Sequence, residues 1–244
     1  KQRQLVVLKS MERHNYITEA QYEVASKERL HVTKVPSFES HAAFVAEMVR
    51  QSIYAQFKED AYTSGIKVIT TIDRDEQEAA YESLRRNVLL YDQRHGYRGP
   101  EAFIDLPTDE TQRDDVIDEF LAKYPASDGL ISGVVTEASP KLIKVDLVTG
   151  ESIQISGEGL RLANAALQAK ANRNLKIRPG ALIRVMQDQK GNWSVTQAPE
   201  VDAAYVSLNA QTGAYRAMVG GFDFNRKKFN HVTSAWRQPG SSIK

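Results

Sequence analysis

The chain has 244 residues, 41% hydrophobic and 26% charged, with 32 Lys and Arg against 31 Asp and Glu. A net charge of +1 gives no electrostatic footprint for nucleic acid or an anionic membrane surface. The lack of cysteine excludes disulfides, Cys-ligated zinc and cysteine nucleophiles. No apolar run approaches the roughly 18 residues that span a bilayer, and no signal peptide is visible.

In chain order, residues 1–30 read as helical. Leu5, Leu8 and Met11 share a helix face. Thr18 offers an N-cap with Gln21 as its capping-box partner, and Ile17, Tyr22 and Ala25 continue the stripe. Residues 31–37 read as an extended linker, because Pro36 disfavours helix at Val35. Ser40 can cap a helix whose apolar face is Phe44, Val45, Met48, Val49, Ile53 and Phe57. The β-branched alternation of 65–72 predicts a strand. Asp73 then caps a helix to about Tyr91, with Glu76 in the box position and Leu84 and Val88 on the inner face.

A shift to Gly, Pro and charge over 94–107 marks a domain crossing. A short acidic helix over 113–123 is expected to pack through Val116, Ile117, Phe120 and Leu121. Five strands follow, at 130–137, 141–147, 152–155, 181–187 and 193–197, with a helix over about 160–170 between the third and fourth. That order is the order of an OB-fold, and it predicts a five-stranded OB-like barrel. Beyond Pro199, strands at 203–208 and 214–219 flank a Gly-containing turn and read as a hairpin. A Gly-rich basic loop then leads to Pro239-Gly240-Ser241. Both ends read as internal to a longer protein, so any membrane anchor or targeting signal is expected outside the chain.

The chemical signal is Ser-x-x-Lys. A serine hydroxyl needs a base within hydrogen-bond reach, and on a helix residues i and i+3 share a face. A lysine serves as that base only if burial or a nearby cation lowers its pKa. The motif occurs twice, at Ser64–Lys67 and Ser241–Lys244. The first enters the strand-like segment, where i and i+3 point to opposite faces, so it reads as surface. The second follows Pro239-Gly240 and can open a helix. By spacing alone the simpler reading is an N-cap at Ser241 or Ser242. Ser207-Leu208-Asn209 matches Ser-x-Asn but reads as strand running into a turn.

The stretch from Ala203 through Asn209, Thr212-Gly213, Ala217 to Phe224, Phe229-Asn230 and Arg237 to Lys244 resembles class A penicillin-binding proteins. Tyr91-Asp92-Gln93-Arg94-His95-Gly96-Tyr97-Arg98-Gly99-Pro100 resembles their Gram-negative 1a type. Met11-Glu12-Arg13 and Tyr16 to Tyr22 resemble the end of the glycosyltransferase domain. The resemblance implies an α+β multi-domain fragment. Residues 1–34 would be a helical tail and linker, and 35–95 the first part of a transpeptidase domain of serine β-lactamase type. Residues 96–199 would be the OB-like insert, and 200–244 the start of the transpeptidase core. It implies Ser241 as the nucleophile acylated by stem peptides and β-lactams, and Lys244 as its proton-transfer partner.

The resemblance implies no cofactor and no metal. It places the parent protein, with a lipid-linked glycan precursor as second substrate, on the periplasmic side of the inner membrane. The later Ser-x-Asn and Lys-[Ser/Thr]-Gly motifs and the glycosyltransferase glutamates would lie outside the chain, leaving Glu12 and Glu19 as solvated helix positions. An envelope regulator is the expected partner of the OB-like region, and nucleic acid is not: Trp193 is its only aromatic between Leu130 and Pro199. The alternatives are an OB-like protein- or saccharide-binding module, with Trp193 stacking a ligand, and a serine β-lactamase or D,D-carboxypeptidase. The long region before Ser241 argues against the last.

Overall fold

The computed structural model describes residues 2–27, 41–188, 190–238 and 240–243. The chain divides into two compact units, Lys1–Glu39 and Ser40–Lys244. Among the described residues no helix is long and apolar enough to cross a membrane.

The first unit holds α1 (Gln2–Arg13) and α2 (Glu19–Lys27). Leu5, Leu8 and Met11 are half-buried, as their spacing predicts. The capping box forms: the Thr18 N–H donates to Gln21 Oε1 at 2.8 Å, and the Gln21 N–H donates to Thr18 Oγ1 at 3.3 Å. Glu12 differs from expectation. It is half-buried and paired with Lys9 at 2.7 Å, because the i,i+3 spacing brings the two charges together. Glu19 is exposed. The linker expected at 31–37 and the Ser40 cap lie outside the described residues.

The second unit opens with α3 (Ala43–Phe57) and α4 (Asp60–Thr63). Phe44 and Val45 are buried with Met218, whereas Phe57 at the far end of the same stripe is exposed. The strand expected at 65–72 does not form. Ile66, Val68 and Ile69 are exposed on chain that joins no ladder. Alternation supplies β-propensity, but a strand also needs a partner edge. Only the end of the segment finds one: Thr71 Oγ1 and the Asp73 N–H donate to the Tyr215 and Arg216 carbonyls.

Asp73 caps α5 (Arg74–Arg94), accepting from the Asp75 and Glu76 amides. Because Arg216 O already takes the Asp73 N–H, Glu76 turns instead to the Arg216 guanidinium at 2.7 Å. The Glu76 amide, then the Arg216 charge, hold the Asp73 carboxyl below its usual range. A depressed carboxylate contributes stability above its unfolded-state pKa and loses it as pH falls through the folded one. The melting-temperature gap between wild type and Asp73→Ala should therefore be widest at neutral pH. It should narrow below the ordinary Asp value of about 3.9. A gap independent of pH in thermal melts would contradict this.

Next come β1 (Ala102–Phe103), α6 (Glu110–Leu121), β2 (Ile131–Ala138), β3 (Leu142–Leu147), β4 (Ser152–Ser156), β5 (Ala181–Gln187) and β6 (Trp193–Thr196). They form one antiparallel sheet in the order β1-β5-β2-β3-β4, with β6 also on β5. The five expected strands form the antiparallel pairings of an OB-like sheet, β2 with β3 and β5, β3 with β4, and β5 with β6, and β1 is an addition that two residues could not signal. No ladder closes β4 onto β6 among the described residues. Val135, Ile143, Val145, Ile155, Ile183 and Val185 fill the concave core, while α6 seals Val134 and Leu182 on the other face through Ile117 and Leu121. Val116 is exposed, contrary to its expected packing.

The helix expected near 160–170 is two 3-10 turns, Gly157–Leu160 and Asn164–Leu167. Leu160, Ala163 and Ala166 recur every three residues, a period that 3-10 geometry satisfies as well as α.

The hairpin of β7 (Tyr205–Leu208) and β8 (Tyr215–Val219) is a separate two-stranded sheet. Ala217, Val219 and Phe222 pack on α5 through Ala80, Leu84 and Val88. The buried Gln77 amide extends the β8 edge, accepting from the Met218 N–H at 2.8 Å and donating to its carbonyl at 3.0 Å. A final α7 (His231–Ser234) precedes the last turn.

Candidate functional site

Ser241 sits exposed in a 3-10 turn, Gly240–Ile243. In such a turn residues i and i+3 eclipse, which is the relation a Ser-x-x-Lys pair needs. Lys244 lies outside the described residues. The loop leading there is tied down by side chains. Asp202 accepts from the Phe222 amide at 2.7 Å and faces His231 Nε2 at 3.3 Å and Lys227 Nζ at 3.7 Å. The His231 amide donates to Gly220 O, and Asn230 caps α7 through the Val232 amide.

The other sequence candidates are not assembled with it. Ser64 is exposed at the end of α4, and Lys67 is exposed on the unpaired chain that follows. Ser207 lies within β7 opposite Ala217. Asn209 turns inward on its own loop, accepting from the Gln211 and Thr212 amides. Trp193 is half-buried on β6 against the OB-like core. Among the described residues no group of three or more His, Asp or Glu could hold a metal ion.

Sequence reasoning missed two polar networks that fasten the OB-like region to α5. Asp92, buried on α5, accepts from Arg98 Nη1 at 2.9 Å and Gln197 Nε2 at 2.8 Å. Gln197 also accepts from the Arg98 amide and donates to Gly96 O. The chain leaving α5 and the chain returning after β6 are thereby held to one carboxylate. In the second network, Arg85 donates to the Phe222 and Asp128 carbonyls and lies 4.1 Å from the Phe222 ring centroid. Tyr81 donates to Asp128 at 2.6 Å and stacks on His41 with centroids 3.9 Å apart. Burial, then the Asp128 hydrogen bond, push the Tyr81 hydroxyl well above its ordinary pKa, so it stays a donor. A charged or amide residue on the inner face of α5, as at Gln77, Arg85 and Asp92, was the available signal.

A family profile described as the penicillin-binding protein OB-like domain matches residues 97–201. Penicillin-binding protein 1A of Neisseria lactamica is 39% identical over 246 residues, covering 100% of this chain. The protein of the same name from Escherichia coli K12 is 38% identical over 249 residues, covering 99%.

The chain is homologous to class A penicillin-binding protein 1A over its whole length.

It spans about a third of those relatives, 31% and 29% of their lengths. The crystal structure of penicillin-binding protein 1A from Haemophilus influenzae agrees with a TM-score of 0.73 at 37% identity, over 100% of this chain and 35% of that one. The matched domain starts at Tyr97, directly after Gly96, whose carbonyl accepts from Gln197 Nε2, and ends at Val201, just past Gln197. The Asp92 network therefore stands at both of its boundaries.

Proposed function

We propose that the chain is part of a bifunctional peptidoglycan synthase, and that its last residues carry the acylation site of a D,D-transpeptidase. The end-to-end homology with penicillin-binding protein 1A carries this reading. In it, residues 1–34 are the tail of the glycosyltransferase domain and its linker. Residues 35–95 and 200–244 are parts of one transpeptidase domain, and 96–199 are an OB-like insert. The pairing of α5 with β8 supports joining the two outer parts. So does β7, whose free edge exposes Tyr205, Val206 and Leu208 as an incomplete sheet does.

Ser241 Oγ attacks the carbonyl of the penultimate D-Ala of a stem peptide, and the terminal D-Ala leaves with the serine proton. An amine of a neighbouring stem peptide then displaces Ser241 and restores the hydroxyl. Lys244 relays the protons, and the Ser241 backbone N–H is one donor to the developing oxyanion. β-Lactams acylate the same oxygen. The parent works at the periplasmic face of the inner membrane, anchored by segments outside this chain, and an envelope regulator contacts the OB-like region. The test is labelling of the complete protein with a fluorescent penicillin. A stable adduct in the complete protein, and none on the 244 residues alone, is the expected result. A complete protein that takes up no penicillin would refute the reading.

A further inference from the structure

We infer that the OB-like region binds an N-acetylated glycan strand in the cleft between β4 and β6. Each of these strands has a free edge in the sheet, and no ladder joins them among the described residues. The 3-10 turn Gly157–Leu160 packs against both of them. At Gly159 a Cβ would stand 2.3 Å from Trp193 O, so only glycine lets the turn approach β6 this closely. Beside the turn lies an open cleft of about 700 Å³, within the range of ligand sites.

The lining has the chemistry of a saccharide site. Gln154 and Ser156 project from the outer row of β4, exposed and without side-chain partners among the described residues. Asn192 stands across from them in the β5–β6 loop, its amide nitrogen on Asp188 at 3.0 Å and its oxygen free to accept. Arg161, 80% exposed, adds donors at one end. Trp193 packs on the core and lines the cleft, the sole aromatic from Leu130 to Pro199. The apolar C–H face of a pyranose suits an indole, and its hydroxyl and acetamido groups suit neutral amides and a hydroxyl. OB-folds bind oligosaccharides on the face of their second and third strands and on adjoining loops, among them the loop joining the fourth and fifth; the cleft shares the third strand and that loop with this site. A nucleic acid strand would need successive aromatic platforms on a basic groove. Among the described residues, Arg161 is the one cation in the lining, set against Glu158 and Asp188.

The N-acetylated class of sugar rests on the peptidoglycan reading above, whereas the cleft does not. Trp236, 95% exposed, is the second of the chain's two tryptophans. In a Trp236→Phe background the emission therefore reports Trp193 alone. The 244-residue chain would be titrated with chitohexaose and with peptide-free peptidoglycan glycan strands, using maltohexaose and poly-dT as comparison ligands. Saturable change with the two N-acetylated glycans is expected, with maltohexaose and poly-dT at least about tenfold weaker. Gln154→Ala with Asn192→Ala, both surface changes that leave the fold intact by circular dichroism, should weaken glycan binding at least about tenfold. Absence of saturable binding, unchanged affinity in the double variant, or preference for poly-dT or maltohexaose overturns the inference. Penicillin labelling is read separately: a complete protein acylated at Ser241 that binds neither glycan keeps its proposed function and loses only this site.

Discussion

Ser241→Ala is expected to abolish penicillin acylation of the complete protein, while Ser242→Ala leaves most of it. The two serines are adjacent and equally small, so the helical turn decides between them. Three residues separate Ser241 from Lys244. That is about 300° of rotation in an α-helix and a full turn in a 3-10 helix, which is the geometry from Gly240 to Ile243. Either way the serine and the i+3 position share a face. Ser242 lies two residues from Lys244, about 200–240° away, on another face. Lys244→Ala should slow acylation by about 10²–10⁴-fold, the usual contribution of general-base assistance. Peptide mapping of the labelled protein checks all three variants. Adduct on Ser242, or undiminished labelling of Ser241→Ala, would show that the wrong serine has been assigned.

Gly180→Ala should unfold the OB-like region at markedly lower temperature. Gly180 holds φ +85°, and a Cβ there would stand 2.0 Å from Ile104 O, a backbone atom that cannot step aside. The same residue ties three segments, its N–H donating to Val135 O and its carbonyl accepting from the Ile104 N–H. The left-handed conformation costs a side chain about 1–2 kcal/mol, and the overlap adds roughly 1–3 kcal/mol. A loss of about 3 kcal/mol lowers the midpoint of a domain of this size by more than ~10 °C. Trp193 emission in the Trp236→Phe background follows the transition. A midpoint within about 2 °C of wild type would mean that β1 can swing off β5 at little cost.

Much of the fold was legible in the sequence because its signals are local. The strand order from β2 to β6 follows from alternation and turn residues, and the Asp73 and Thr18 caps from side chains that reach only two or three residues along the chain. The hairpin and the Ser-x-x-Lys motif are equally short-range. The segment 65–72 shows where such reading stops. Its alternation is as good as that of β3, yet β3 is flanked by two partner edges and 66–70 by none.

By itself, then, the sequence determined the local conformations, the OB-like strand order and, through its resemblances, the expected nucleophile. The tertiary structure decided what depends on distant residues meeting. Asp92 and Gln197 are 105 residues apart, and Gln77 and Met218 are 141 apart. No periodicity encodes such pairings. A buried carboxylate or amide must find its partners wherever the fold delivers them, because leaving it unpaired costs more than the bond contributes. The open cleft was decided the same way. It lies beside a turn whose Gly159 meets a carbonyl 34 residues further along the chain.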